Sequence, residues 1–280
     1  MSQKSYDGSP CVYLIPTPIG NMDDITLRAI KVLNEVEVIF SEDTRVTGLL
    51  LNYLGIKKKL ISSHKFNEDG NRERIIDYLS NGYSVGVVSD RGTPCISDPG
   101  YELVLCAIEN GYNVVALPGP TAFVPALIVS GLDISQFTFI GFLNSKSSKR
   151  CKELEGLKFH RESLIFYESP HRVREMLVDV QKVLGNRRVS ISREITKRFE
   201  EVYRGQISEI IPLMNDVKGE IVIVLEGASN LGNTDNLTIL EHIDFYKSLG
   251  NTDMDAIKIV AKERGVPKSV IYNEYHNLKG

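Results

Sequence analysis

Five short apolar runs punctuate the first 117 residues: 12–15 (VYLI), 37–40 (EVIF), 59–62 (KLIS), 83–89 (YSVGVVS) and 113–117 (NVVAL). Each is too short for a buried helix and reads as a strand. Between them apolar positions recur at helical spacing. Asp24 is placed to cap a helix carrying Ile25, Ala29, Val32 and Leu33 on one face. Thr44 is placed to cap a second, through GLLLNYL, with Gly55 as its stop. RERIIDYL lies in a third helix, and YELVLCAIEN forms a fourth that ends at Gly111. Strands that are apolar almost throughout, separated by helices, predict a mostly parallel sheet covered on both faces.

ALPGPTA (116–122) breaks this rhythm with two prolines around Gly119, which marks a turn and a hinge. Beyond it FTFIGF, SLIFYES, RRVSISRE, EEVYRG and EIVIVLEG read as strands, and 149–155, 173–184 and 207–214 as helices. Three strands crowd residues 187–226 with one short helix among them, so this second sheet is expected to be mixed. ASNLGNTDNLT (228–238) is polar and turn-rich and reads as a linker. Three short helices follow; a helix-turn-helix is one reading, and three amphipathic helices packing on each other is the simpler one. The fold class is α/β. An N-terminal α/β domain is expected over 1–119, a second α/β domain over 120–227 and a small helical region over 236–280.

Composition narrows the function. The 280-residue chain carries a net charge of −3 and is not a globally basic nucleic-acid binder. Basic residues cluster only locally, at 57–59, 146–150, 171–174 and 197–198, and such clusters are commonly solvated faces. No apolar run approaches the length of a membrane helix, and the first residues lack the apolar core of a signal peptide, so a soluble cytoplasmic protein without membrane partners is expected. Cys11, Cys95, Cys106 and Cys151 lie far apart and the five histidines are scattered. Free thiols in a reducing compartment and no metal site are therefore expected.

Candidate chemistry sits in three loops. Ligands of an open parallel sheet bind beyond the carboxyl ends of its strands, where PTPIGN (16–21), SDRGTPCISDPG (89–100) and PGPTA (118–122) all fall. Glycine lets backbone approach a ligand, and proline freezes loop shape. Neither GxGxxG nor GxxxxGK[ST] is present, which argues against a pyrophosphate site. Asp98, followed by Pro99, reads as the cap of the fourth helix. Asp90, at a strand terminus, is placed to accept from ribose hydroxyls or a ligand amine. Arg91 beside it is read as a partner for a carboxylate.

LIPTPIGNMDDITLRAIKVL, VIFSEDTRVTGLLLNYLGI, VVSDRGTPCISDPGYELV, ALPGPTA, FYESPHRV and SREITKRFEEVYRG together closely resemble the ribosomal RNA small subunit methyltransferase I family of the tetrapyrrole methylase superfamily, in unbroken order over residues 12–227. The resemblance implies two α/β domains of the tetrapyrrole methylase type with S-adenosylmethionine (SAM) in the cleft between them, and a homodimer. It implies 2′-O-methylation of a cytidine ribose in the decoding region of 16S rRNA, with the 30S subunit as partner. The SAM-contacting loops of the superfamily match Pro18, Ile19, Asp90, Gly92, Thr93, Ile96, Thr121 and Ala122 here, with Tyr167, Glu168 and Glu194 reaching in from the second domain. Arg91 departs from the small residue that many relatives carry after the aspartate, and whether it points into the pocket or away is open.

Methyl transfer to a hydroxyl needs the oxygen held behind the methyl, at about 3–3.5 Å, and a group to help the proton leave. Glu168, His171, Glu194 and Lys197 are the candidates for that proton. Arg45, Arg172, Arg193 and Lys197 are candidates for RNA phosphates. Plainer readings compete: ESPHR as a helix-start turn, REITK as a strand end with surface charge, EDTR as a capped helix with an internal ion pair. Two other functions fit the same loops. One is a methylase of a tetrapyrrole or another small substrate; the other is a nucleoside-binding module without turnover.

Overall fold

A computed structural model describes residues 3–5, 7–64, 68–228, 237–248 and 250–279. The first sheet contains β1 (Cys11–Leu14), β2 (Val38–Ser41), β3 (Lys59–Ser62), β4 (Val85–Val88) and β5 (Asn113–Ala116), in the order β3-β2-β4-β1-β5. All its pairings are parallel. β2 and β4 are buried along their whole length, as strands covered on both faces must be. Two apolar clusters fill those faces, one around Leu33 and Ile39 and the other around Phe40 and Leu103.

Helices α1 (Leu27–Glu35), α2 (Thr44–Tyr53), α3 (Glu68–Ser80) and α4 (Tyr101–Glu109) connect the strands. Three of their starts differ from the sequence reading. Asp24 closes a short 3-10 turn opened by Asn21, and Thr26 caps α1 by accepting the Ala29 amide at 3.0 Å. Asp43 caps α2 by accepting the Arg45 amide at 2.8 Å, so Thr44 is the first helical residue. Asp98 is not the cap: α4 starts at Tyr101 behind Gly100, whose φ is +124°, and no side chain caps it.

The second sheet holds β6 (Phe137–Phe142), β7 (Ser163–Glu168), β8 (Arg188–Arg193), β9 (Glu201–Gln206) and β10 (Ile221–Leu225), ordered β6-β7-β10-β8-β9. β6 and β7 are parallel and the other pairs antiparallel, a mixed sheet. α6 (Ser147–Gly156), α7 (Val173–Leu184) and α8 (Ile207–Ile210) pack one face around Phe166, Leu177 and Ile191. α5 (Phe123–Ile128), directly after PGPTA, covers the other face through Ala126 and Leu127 against Ile165 and Val224. The chain therefore passes from one sheet to the other at Pro118–Pro120. Beneath α6, the fully buried Arg150 guanidinium is answered by Asp179 and Glu175, as a charge removed from water must be.

α9 (Ile239–Ser248), α10 (Asp253–Glu263) and α11 (Lys268–Lys279) pack around a core of their own, with Ile257, Val260 and Tyr275 inside. Most of the expected linker, residues 229–236, lies outside the described residues. None of the four cysteines forms a disulfide, and no helix among the described residues is long and apolar enough to cross a membrane.

Candidate active site

Strand order brings the three Gly/Pro loops together, because β4, β1 and β5 are neighbours. Thr17 and Gly92 exchange both backbone bonds, at 2.9 and 3.0 Å, which ties the first loop to the second. Gly92 adopts φ +79°, and a Cβ there would come within 3.2 Å of Ile19. Gly119 lies flat on Pro16, where a Cβ would come within 2.6 Å of the proline ring. The Thr93 hydroxyl donates to the Pro120 carbonyl at 3.0 Å and meets the Thr121 hydroxyl at 2.5 Å. The loops thus form one hydrogen-bonded floor.

A cavity of about 370 Å³ opens above this floor, between it and the carboxyl end of β7 and the start of β10. That volume lies in the range of small-molecule sites. Ile19, Gly92, Thr93, Ile96, Thr121 and Ala122 line it from the first side, and Tyr167 and Glu168 from the second. Pro18 and Asp90 are outside the lining. The Asp90 carboxylate turns toward α2 and accepts the Asp43 amide at 2.9 Å. The wall also holds residues that sequence reasoning passed over, among them Phe142, Ile195, Glu220 and Val222. Only their chain position, at or beside strand ends, signals them.

The charged groups divide sharply by partner. Glu168 is 3% exposed, and its oxygens take Arg172 Nε and Nη2 at 2.8 and 2.7 Å and the Ser169 amide at 2.6 Å. Arg91 points across the cavity mouth to Glu220, which also accepts Lys197 Nζ at 2.9 Å; Lys197 reaches Glu194 at 2.8 Å. These bonds hold the Glu194 carboxyl below its usual range. Lys197 is partly desolvated, which opposes its charge, yet its two carboxylates hold the ammonium above the usual lysine range. Its stem crosses Gly20 of the first domain, where a Cβ would come within 2.5 Å. His171 is exposed at the start of α7 and does not line the cavity. Arg45 is exposed and grips Asp43 with two nitrogens, which lowers that carboxyl to about 2. Arg193 is held by Glu201 at 2.8 Å.

Asp98 stands apart. It lines the cavity, and no cation pairs with it among the described residues. Desolvation first, then repulsion from Glu42, pushes its carboxyl up to about 6, against a hydrogen bond from Ser89. Burial also raises Glu42, whose carboxylate accepts the Asp90 amide at 3.4 Å. Desolvation pushes Tyr167 to about 12, so its phenol stays protonated. Apolar walls and closely approaching backbone suit a nucleoside.

A two-domain α/β fold with such a cleft has known relatives. The sequence model for tetrapyrrole (corrin/porphyrin) methylases matches residues 11–211, and the chain belongs to that family. Ribosomal RNA small subunit methyltransferase I of Halalkalibacterium halodurans is 45% identical, covering 98% of this chain and 99% of that one. The protein of the same name from Bacillus subtilis is 42% identical, with 98% of each chain covered. Among solved structures, uroporphyrin-III C-methyltransferase from Thermus thermophilus, complexed with S-adenosylhomocysteine, aligns with a TM-score of 0.54 at 19% identity. It covers 77% of this chain and 97% of that one, a likeness of fold.

Proposed function

We propose that this chain is a SAM-dependent rRNA methyltransferase acting on the 2′-oxygen of a cytidine ribose in the 16S rRNA of the 30S subunit. The observation that carries the reading is the cleft: Gly/Pro backbone loops and apolar side chains from both sheets surround a small-molecule cavity. Identity above 40% to enzymes named for small-subunit rRNA supports RNA over a small tetrapyrrole as substrate.

SAM supplies a methyl on a sulfonium sulfur, a leaving group that needs no acid. The residues of the chain bind and orient. Ile19, Ile96, Ala122 and Val222 offer apolar surface, and the Gly92 and Thr93 backbone approaches closely enough to read a nucleoside. Arg172 fixes Glu168, and Arg91, Glu220 and Lys197 close the cavity mouth between the domains. The exposure of Arg45 at the start of α2 supports a contact with RNA phosphate. Leu49 and Tyr53 on α2, 72% and 69% exposed, and Val124 and Ile128 on α5 are apolar surface consistent with a homodimer. The activity on ribosomal particles fits a cytoplasmic enzyme.

Calorimetry tests the cleft. SAM and S-adenosylhomocysteine are expected to bind stoichiometrically, with ATP and NAD at least a hundredfold weaker. Tight ATP binding without SAM binding would overturn the reading.

A further inference from the structure

We propose that Asp98 is the catalytic proton acceptor for the ribose hydroxyl, because it is the carboxylate on the cavity wall that carries no cationic partner among the described residues. This rests on the methyltransferase reading above.

The other candidates are occupied. Both oxygens of Glu168 serve Arg172 and Ser169, and Glu220 serves Arg91 and Lys197. Glu194 is neutralised by Lys197, and that lysine is held as a cation with no lone pair to offer. Tyr167 stays a phenol, and His171 is outside the lining.

The chain also spends conformational energy to place Asp98 where it is. Cys95 and Ser97 sit at φ +69° and +65°, and Gly100 at +124°. Non-glycine residues in that region are strained, and such strain concentrates at functional sites. An Asp-Pro pair that ordinarily opens a helix is here turned onto the cavity wall instead. Glu42 behind β2 and Asp90 and Ser89 behind β4 are the titratable or polar groups that act on it, while Tyr167 at the end of β7 faces it as a neutral phenol. Apart from the Ser89 hydrogen bond they disfavour the charged form, so the carboxylate is a stronger base than a solvated one. It is still largely ionised at neutral pH.

The step balances without a further reagent. The ribose oxygen forms a bond to the methyl carbon, and the bond from that carbon to sulfur breaks. Its electron pair stays on sulfur as a thioether. The hydroxyl proton passes to an Asp98 oxygen and then to water.

The test compares wild type with Asp98→Asn in single-turnover transfer from labelled SAM to 30S particles lacking the modification, from pH 5 to 9. SAM affinity is measured by calorimetry and particle affinity by filter binding. Wild-type rates are expected to rise through about pH 6. D98N is expected to lose about a hundredfold to ten-thousandfold in rate together with that rise, and to keep both affinities within about threefold. Unfolding supplies a readout independent of activity. The raised carboxyl binds more protons folded than unfolded between about 4 and 6, so its ionisation destabilises the fold above that window. D98N should therefore melt higher than wild type at pH 8. A D98N rate within threefold of wild type, a rate loss explained by weaker SAM binding, or a lower melting point at pH 8 would each overturn the proposal. Absence of transfer by wild type would instead sink the methyltransferase reading, and this proposal with it.

Discussion

Glu168 and Arg172 show how much of this site is structural support. A carboxylate removed from water and bonded by a guanidinium fork is stable only as a pair. Arg172→Ala is expected to cost about 3 kcal/mol in urea unfolding, because it strands a buried charge; a loss under 1 kcal/mol would contradict the pairing. The pair was only half legible. The family resemblance placed Glu168 at the cavity, with Arg172 four residues on, yet nothing in the sequence says that the two neutralise each other. Asp98 was misread for a related reason. Asp-Pro before a helical pattern is the signature of a cap, and only the left-handed backbone at Cys95 and Ser97 turns it elsewhere. Asp90 was assigned by its strand-end position, but its carboxylate is taken by the Asp43 amide of the neighbouring loop.

At the scale of elements, continuous apolar runs marked β2, β4, β7 and β10 to within a few residues, because these strands are buried almost throughout. Helix starts were less legible: Asp24, Asn21 and Thr26 all have the chemistry of a cap, and backbone geometry chooses among them. The loops give a sharp prediction. Gly119→Ala would drive a Cβ into Pro16 and separate the loops behind β1 and β5, lowering SAM affinity by about tenfold in calorimetry at a stability cost of about 1–3 kcal/mol. The C-terminal helices give a pH prediction. His242 is fully buried, with Glu263 at 2.9 Å, and desolvation lowers its pKa below the ordinary 6.5. The unfolded chain then binds the proton more readily, so the stability from neutral His242 is present above about pH 6.5 and lost below it. The Hε1 resonance of His242 should titrate below 6.5 while the helices remain docked. Titration near 6.5 in the folded state would contradict this.

At the scale of the molecule, two sheets face each other across a cavity, and an ion pair, a packing contact and a hydrogen bond span the gap. Arg91 meets Glu220, Lys197 lies on Gly20, and Thr196 donates to Asp24. This juxtaposition was not legible, since periodicity reports which face of an element is buried but not which domain it meets. Arg91 was the open question of the sequence, and it points across the mouth to the second domain. Arg91→Ala is expected to change unfolding free energy by less than about 1 kcal/mol, because both partners are exposed. SAM affinity should fall about threefold to tenfold, and the gap from wild type should shrink at high salt. Equal SAM affinity at low salt would remove the pair from cavity closure.

The central claim is methyl transfer to ribose in small-subunit rRNA. It is tested most directly by incubating the protein with labelled SAM and unmodified 30S particles, then digesting the 16S rRNA to nucleosides. Label in 2′-O-methylcytidine at one site is the predicted result. Label on a base, on ribosomal protein, or on an added tetrapyrrole with none in the RNA would contradict it.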